Sequence, residues 1–250
     1  MKIIDLHSHI NTGSKHDVPE TAFAKKNAPF IISEYKSAGI SAGGISTFPS
    51  VLEGGGESIY KENDYLKRFS EENELIYQWL VLDPREEMLF SQIRENIGGK
   101  KVLGIKIHSP YHKYDIMEYG DKIFSFADEL GCFVLMHPDR ISDMVSFADK
   151  YPNMSLIIAH IGSIEHIEAI ENAKHGNIYT DTSGMASFQN NIIEYAVERI
   201  GSKKIFFGTD TYSCGFQRGR IEYARISEQD KENIFYKNAK KHFSQQFENV

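Results

Sequence analysis

Two histidines separated by one residue, in Asp5-Leu6-His7-Ser8-His9, follow the apolar pair Ile3-Ile4. Side chains alternate faces along a strand, so this run is expected to set Asp5, His7 and His9 on one face and Ile4 and Leu6 on the other. Two imidazoles at the end of a buried strand are costly as packing. Each ring nitrogen needs a partner, and two charged rings repel. A divalent metal satisfies both rings in their neutral form. A satisfied core pair is the alternative that the motif alone leaves open.

Further polar residues close apolar runs along the chain. Lys106 and His108 end Gly104-Ile105-Lys106-Ile107-His108, and His137 follows Val134-Leu135-Met136. His160 follows Leu156-Ile157-Ile158-Ala159, Asp181 ends a shorter run, and Asp210 follows Ile205-Phe206-Phe207-Gly208-Thr209. In the fourth run, alternation sets Leu103, Ile105 and Ile107 opposite Lys106 and His108. Histidines and a carboxylate gathered at strand ends are the donors of a divalent metal site. Zinc is the first choice, with manganese, iron and nickel also suited. By contrast, His166, His175 and His242 sit in polar helical or turn contexts, and His16 and His112 in loops; all five are expected at the surface. Tyr111, His112 and Arg218 are candidate substrate contacts.

The elements that must position these groups are eight β-rich runs: Lys2–Ser8, Ser41–Thr47, Leu75–Leu82, Val102–His108, Cys132–His137, Ser155–His160, Asn177–Asp181 and Lys204–Asp210. Between them, Ser58–Glu72, Tyr119–Leu130 and Ile141–Tyr151 carry helical apolar spacing. Ser227 is placed to cap a last helix running through Ile234, Ala239 and Phe243. Alternating strands and helices predict an α/β fold, a (β/α)8 TIM barrel, with a doubly wound sheet as the alternative. In a barrel, the active groups lie at the C-terminal strand ends, where these residues fall. The 250 residues contain no Pro/Gly linker, so a single barrel domain over 1–250 is expected. Gly54-Gly55-Gly56 lacks a P-loop's Lys and Ser/Thr and reads as flexible backbone, with a substrate-facing lid as a further option.

Composition narrows the partners. The net charge is −7, from 28 basic and 35 acidic residues, with no basic patch to track phosphates, which argues against nucleic acid. No apolar run reaches the roughly 20 residues of a membrane span. Cys132 and Cys214 form no disulfide framework. Cys132 reads as a core residue, and Cys214 as a loop residue after a candidate site, with nothing in the sequence to support reactivity. The opening residues read as a strand and not a signal peptide, so a reducing cytoplasm is the expected setting. Oligomeric state is not legible.

Taken together, Asp5-Leu6-His7-Ser8-His9, Gly104-Ile105-Lys106-Ile107-His108, His137, Ala159-His160-Ile161-Gly162, Asp181-Thr182-Ser183-Gly184, Phe207-Gly208-Thr209-Asp210 and Asn238-Ala239 span the chain. They resemble the amidohydrolase superfamily, in the branch that includes aminocarboxymuconate-semialdehyde decarboxylase and related hydrolases and lactonases. The resemblance implies a metal-dependent barrel enzyme of small organic substrates. By position it implies His7, His9, His137 and Asp210 as metal ligands, with His160 assisting the metal's water or the substrate. Some two-metal relatives bridge their ions with a carbamylated lysine at the end of the fourth strand. Here Lys106 precedes the strand end by two residues and His108 stands last. That implies one metal, with Lys106 and His108 contacting an anionic substrate; a structural Lys106 paired with a carboxylate is also open.

The expected reaction is hydrolysis of a small, anionic ester, lactone or amide by a metal-activated water. Asp210 would take the proton and His160 would stabilise the oxyanion. The alternative is a metal-dependent, non-oxidative decarboxylase of a small aromatic or enoic acid. A PHP-type phosphoesterase, which also begins with a DLHSH-like motif, and a non-catalytic metal-binding scaffold are the remaining readings.

Overall fold

The eight β-rich runs pair side by side, in sequence order and all parallel, in a computed structural model that describes residues 1–14, 27–189, 191–211 and 213–250. They are β1 (Ile4–Ile10), β2 (Ala42–Thr47), β3 (Ile76–Val81), β4 (Val102–Ile107), β5 (Phe133–Met136), β6 (Ser155–Ile158), β7 (Ile178–Asp181) and β8 (Ile205–Phe206). The Leu6 amide donates to Phe207 O at 2.8 Å and the Asp210 amide to His7 O at 2.7 Å, which joins the two edges. The result is a (β/α)8 barrel, and the doubly wound alternative is set aside. His16 and most of the first loop lie outside the described residues.

Helices alternate with the strands: α1 (Ala28–Ala38), α2 (Gly56–Glu72), α3 (Glu87–Asn96), α4 (Ser109–His112), α5 (Ile116–Leu130), α6 (Met144–Lys150), α7 (Ile164–Asn172), α8 (Ile192–Ile200) and α9 (Cys214–Glu222). Ser227 caps the last helical stretch as expected, accepting the Asp230 amide at 3.1 Å. Among the described residues, no helix is long and apolar enough to cross a membrane.

Two apolar layers hold the barrel. Ile105, Ile107, Val134, Met136, Leu156 and Ile158 face outward against Ile123, Phe124, Ala127 and Phe147 of the helices. Leu6, Trp79, Leu103, Leu135, Ile157 and Phe206 fill the interior, and Phe243 and Phe247 plug its lower end. The Trp79 and Phe243 rings meet at 6.0 Å, and Tyr77 and Phe247 at 4.6 Å. With apolar side chains filling the lower barrel, the polar residues are left to the upper mouth.

Alternation fails at two strands. The β1–β2 pairing shifts register between Asp5 and Ser8, so three steps on β1 oppose two on β2. Leu6 therefore packs inside the barrel while Asp5 turns away from His7 and His9. The β3–β4 pairing shifts at Val102 to Gly104, and Leu103 joins the interior instead of sharing the outer face of Ile105 and Ile107. An inserted residue reverses the inside–outside phase. Gly104 is required there, because a Cβ would run into the Phe133 carbonyl oxygen and the Trp79 ring.

Asp5 instead ties strands together. Its carboxylate accepts the His7 and Thr209 amides at 3.0 and 3.1 Å, the Thr209 hydroxyl at 2.6 Å and the Tyr35 hydroxyl at 3.0 Å. Asp5→Ala would leave four buried donors without an acceptor. We expect a loss of about 3 kcal/mol or more of stability by urea unfolding; a loss below about 1 kcal/mol would refute this role.

Several surface expectations are corrected. His166 is buried, with Nε2 donating to Ala159 O at 3.0 Å and Nδ1 3.1 Å from Ser163 Oγ. His112 is also buried. His242 is half-buried on the Phe133 and Tyr179 rings, whereas His175 is exposed. Cys214 is buried at the start of α9, and burial pushes its thiol up to about 12, so it is unreactive. Arg218 pairs with Glu222 and donates to Ala38 O. Gly56 opens α2, leaving Gly54 and Gly55 as the connection.

Candidate metal and catalytic site

The barrel brings all seven expected site residues to one cavity of about 130 Å³. His7, His9, Lys106, His108, His137, His160 and Asp210 line it. His108 and His137 directly follow β4 and β5, while His160 stands two residues beyond β6. Strand β8 ends early at Phe206, so Asp210 is carried by an irregular segment held to β1.

Most of these imidazoles have one nitrogen fixed and the other directed at the cavity. His7 Nδ1 lies 3.0 Å from Asp181 Oδ2 and 2.9 Å from Ser183 Oγ. A carboxylate only accepts, so Nδ1 carries the proton and Nε2 presents its lone pair. His160 Nδ1 lies 3.1 Å from the Ser183 carbonyl, which fixes the same tautomer. His9 Nδ1 pairs with Ser46 Oγ at 2.9 Å. The Ser183 hydroxyl also donates to Asp181 in a short bond. The residue pattern assigns Asp181 no role and does not single out Ser183 or Ser46. Asp181 and Ser183 lay within the quoted Asp181–Gly184 motif, and Ser46 next to the end of the second run.

The inward nitrogens of His7 and His9 converge on Asp210 Oδ1, at 3.8 and 3.1 Å. His160 Nε2 lies 4.0 Å from Asp210 Oδ2. One donor atom from each of His7, His9 and Asp210 falls within 4.8 Å of the others, as do those of His7, His160 and Asp181. His137 stands outside both sets. Its ring stacks on His108 at 4.1 Å and lies 5.2 Å from His160, and its Nδ1 is buried without a partner among the described residues. Lys106 Nζ donates to His7 Nε2 at 3.0 Å.

Electrostatics follow from burial. Desolvation, then the nearby Lys106 charge, lowers His7 to about 3. Desolvation, then His160 and Lys106, lowers His137 to about 3. Burial likewise lowers His9. These rings are neutral and their lone pairs available at neutral pH. Burial works against ionisation of Asp210, yet the surrounding His160, His9 and His7 hold its carboxyl well below the usual carboxylate range. His160 and Asp210 also share a left-handed backbone, at φ 62° and 56°. Such strain in non-glycine residues is held in place by its surroundings and gathers at functional sites. Here Asp210 N–H to His7 O and Thr211 Oγ1 to His9 O, at 2.8 Å, hold the segment.

Above this polar floor lies an apolar roof of Phe48, Val51 and Leu52, with Tyr111 beside them. Phe48 stacks on His9 at 5.2 Å and Tyr111 meets His108 edge-on at 4.6 Å. The first three come from the β2–α2 connection, whose Pro49–Glu53 segment forms a wide π-type turn.

The sequence profile described as amidohydrolase matches residues 4–244. No curated protein sequence matches the chain. Solved structures share its fold. 5-Carboxyvanillate decarboxylase from Novosphingobium aromaticivorans, solved with manganese, has a TM-score of 0.75 at 15% identity, covering 97% of this chain and 96% of that one. 2,6-Dihydroxybenzoate decarboxylase from Rhizobium has a TM-score of 0.72 at 15% identity, covering 97% and 98%. 4-Oxalomesaconate hydratase from Rhodopseudomonas palustris has a TM-score of 0.69 at 12% identity, covering 98% and 97%.

Proposed function

The chain belongs to the amidohydrolase family, and from that premise we propose that it is a metal-dependent, non-oxidative decarboxylase of a small aromatic or enoic carboxylic acid. The observation that carries this reading is Lys106, a side chain only 1% exposed in a cavity roofed by apolar groups. Burial lowers its pKa to about 8 against the pull of Asp210 and Asp181, so it is cationic near neutrality. Among the described residues, its hydrogen bond goes to neutral His7 and not to a carboxylate. A substrate carboxylate would supply the missing contact. Under the apolar roof that carboxylate loses water, which favours its departure as neutral carbon dioxide. Two of the three structural neighbours described above bear decarboxylase names, in support of this choice over hydrolysis.

The residues fit a divalent cation. Two neutral imidazoles, each held on its far nitrogen, converge on an ionised carboxylate, and the buried His137 Nδ1 has no partner among the described residues. His7, His9, His137 and Asp210 would hold the ion, zinc and manganese both suiting such donors, and Lys106 would yield the His7 lone pair. When bound, the ion supplies Lewis-acid binding of the substrate's oxygens. Lys106 and His108 orient the acid, and the roof excludes water. As the bond to the carboxylate carbon breaks, its electron pair stays on the remaining carbon and takes up a proton that His160 Nε2 relays from solvent. Asp210 Oδ2 stands 4.0 Å from His160 Nε2, and the 20% exposed His160 side chain gives that nitrogen access to solvent protons.

Hydrolysis is the second reading, favoured by Asp210 and His160 standing together at 4.0 Å. A screen of metal-loaded protein separates the two. Consumption of hydroxybenzoic acids supports decarboxylation, and consumption of carboxylated lactones alone supports hydrolysis.

Two further results are expected. Asp181→Asn removes the acceptor that orients His7, and should weaken metal binding about 10- to 100-fold by competitive chelator titration; unchanged affinity would refute the orienting role. Lys106→Met should raise KM for a carboxylate about 10- to 100-fold. In the unaltered protein, Lys106 is protonated below about 8 and neutral above. Its KM should therefore climb as pH passes about 8, and the variant should lack that rise. A KM independent of both would remove Lys106 from substrate binding.

A further inference from the structure

His112 has no atom lining the cavity, yet it joins the two pieces of chain that frame its roof. It ends α4, directly after Tyr111. Its Nε2 lies 2.8 Å from Ser50 O. A carbonyl only accepts, so Nε2 is the donor. Ser50 sits within the Pro49–Glu53 turn, next to the roof residues Val51 and Leu52. The His112 carbonyl accepts from Arg85 Nη2 at 2.7 Å, and Arg85 is clamped by Asp83 at 2.6 and 2.9 Å beyond β3. The ring is 4% exposed and lies under Gly54, where a Cβ would approach it to 3.3 Å at a backbone φ of +70°. Gly54 thus lets the turn close onto the ring.

We propose that His112 is a specificity-determining positioning residue, which pins the Val51–Leu52 roof to Tyr111 and so fixes the width of the cavity for a flat carboxylic acid. The identity of the acid rests on the decarboxylase reading; the pin does not. Width matters because Val51 and Leu52 line the cavity without being among the proposed metal-binding or proton-transfer groups. Loosening it should cost binding and ring-size discrimination while leaving the reacting groups in place.

The test compares His112→Phe, which keeps a ring but loses the donor, with His112→Gln, which can still donate to Ser50 O. Gly54→Ala, which crowds the ring from the other side, is the third variant. Each is loaded with manganese and measured in three ways: metal content, amide exchange over residues 49–56, and kinetics on a hydroxybenzoic acid with and without an added ring methyl. His112→Phe and Gly54→Ala should keep full metal content and turnover within about twofold. Their roof amides should exchange about 10-fold faster, in line with one lost hydrogen bond. KM for the unsubstituted acid should rise about 10-fold, and preference should move towards the methylated acid. His112→Gln should restore most of the original values. Unchanged exchange and selectivity in both His112→Phe and Gly54→Ala would overturn the proposal, as would a failure of His112→Gln to restore either. If the unaltered protein consumes no acid, the decarboxylase reading fails. Exchange over 49–56 and binding of benzoate to the loaded variants then decide the pin by themselves.

Discussion

Asp210→Asn should lower turnover by about 1,000-fold or more while leaving the protein folded. The side chain keeps its shape, but the negative charge at the centre of the site is lost. In the native site that charge faces the inward nitrogens of His9, His7 and His160 at 3.1, 3.8 and 4.0 Å. All three contacts weaken together. The metal loses its only charged donor in the proposed ligand set, and His160 loses the anion that stands 4.0 Å from its Nε2. The measurement is turnover at saturating metal, so that weaker metal binding does not by itself account for the fall. Retention of more than about a tenth of the turnover would remove Asp210 from the chemistry.

The second large effect is on metal content. His7→Ala deletes the most heavily supported imidazole of the site. Its ring is held by Asp181 and Ser183 on one side and is approached by Lys106 on the other. Elemental analysis should give near one metal per chain for the unaltered protein and close to none for His7→Ala. His160→Ala, by contrast, should keep most of its metal and lose most of its turnover. Loss of metal in step with turnover in His160→Ala would instead place His160 among the ligands, through the His7, His160 and Asp181 grouping.

The convergence of the site residues was legible because a barrel gathers its C-terminal strand ends. Apolar runs ending in His108, His137, His160 and Asp210 therefore imply proximity without any knowledge of contacts. The phase of the strands was less legible. Alternation assumes an unbroken ladder, and the register shifts at Asp5 and Gly104 move Asp5 out of the site and Leu103 into the interior. Strand β8 is shorter than its apolar run for a related reason. Its apolar residues continue to Phe207, but the chain leaves the ladder and Asp210 enters a left-handed conformation that its residue type does not announce. The buried states of His112 and His166 are hidden from the sequence because one nitrogen of each ring is held by a backbone carbonyl. One of those carbonyls is 62 residues away in the chain.

The most direct test of decarboxylation follows the carbon itself. Manganese-loaded protein is incubated with hydroxybenzoic acids labelled with carbon-13 in the carboxylate, in oxygen-18 water diluted with deuterium oxide. The account predicts labelled carbon dioxide in amounts equal to the acid consumed, one deuterium on the ring carbon that bore the carboxylate, and no oxygen-18 in the phenolic product. Recovery of the acids with their labelled carboxylate intact, while a carboxylated lactone offered in the same water opens to a product that carries oxygen-18 and keeps its carboxylate, would contradict it and establish hydrolysis.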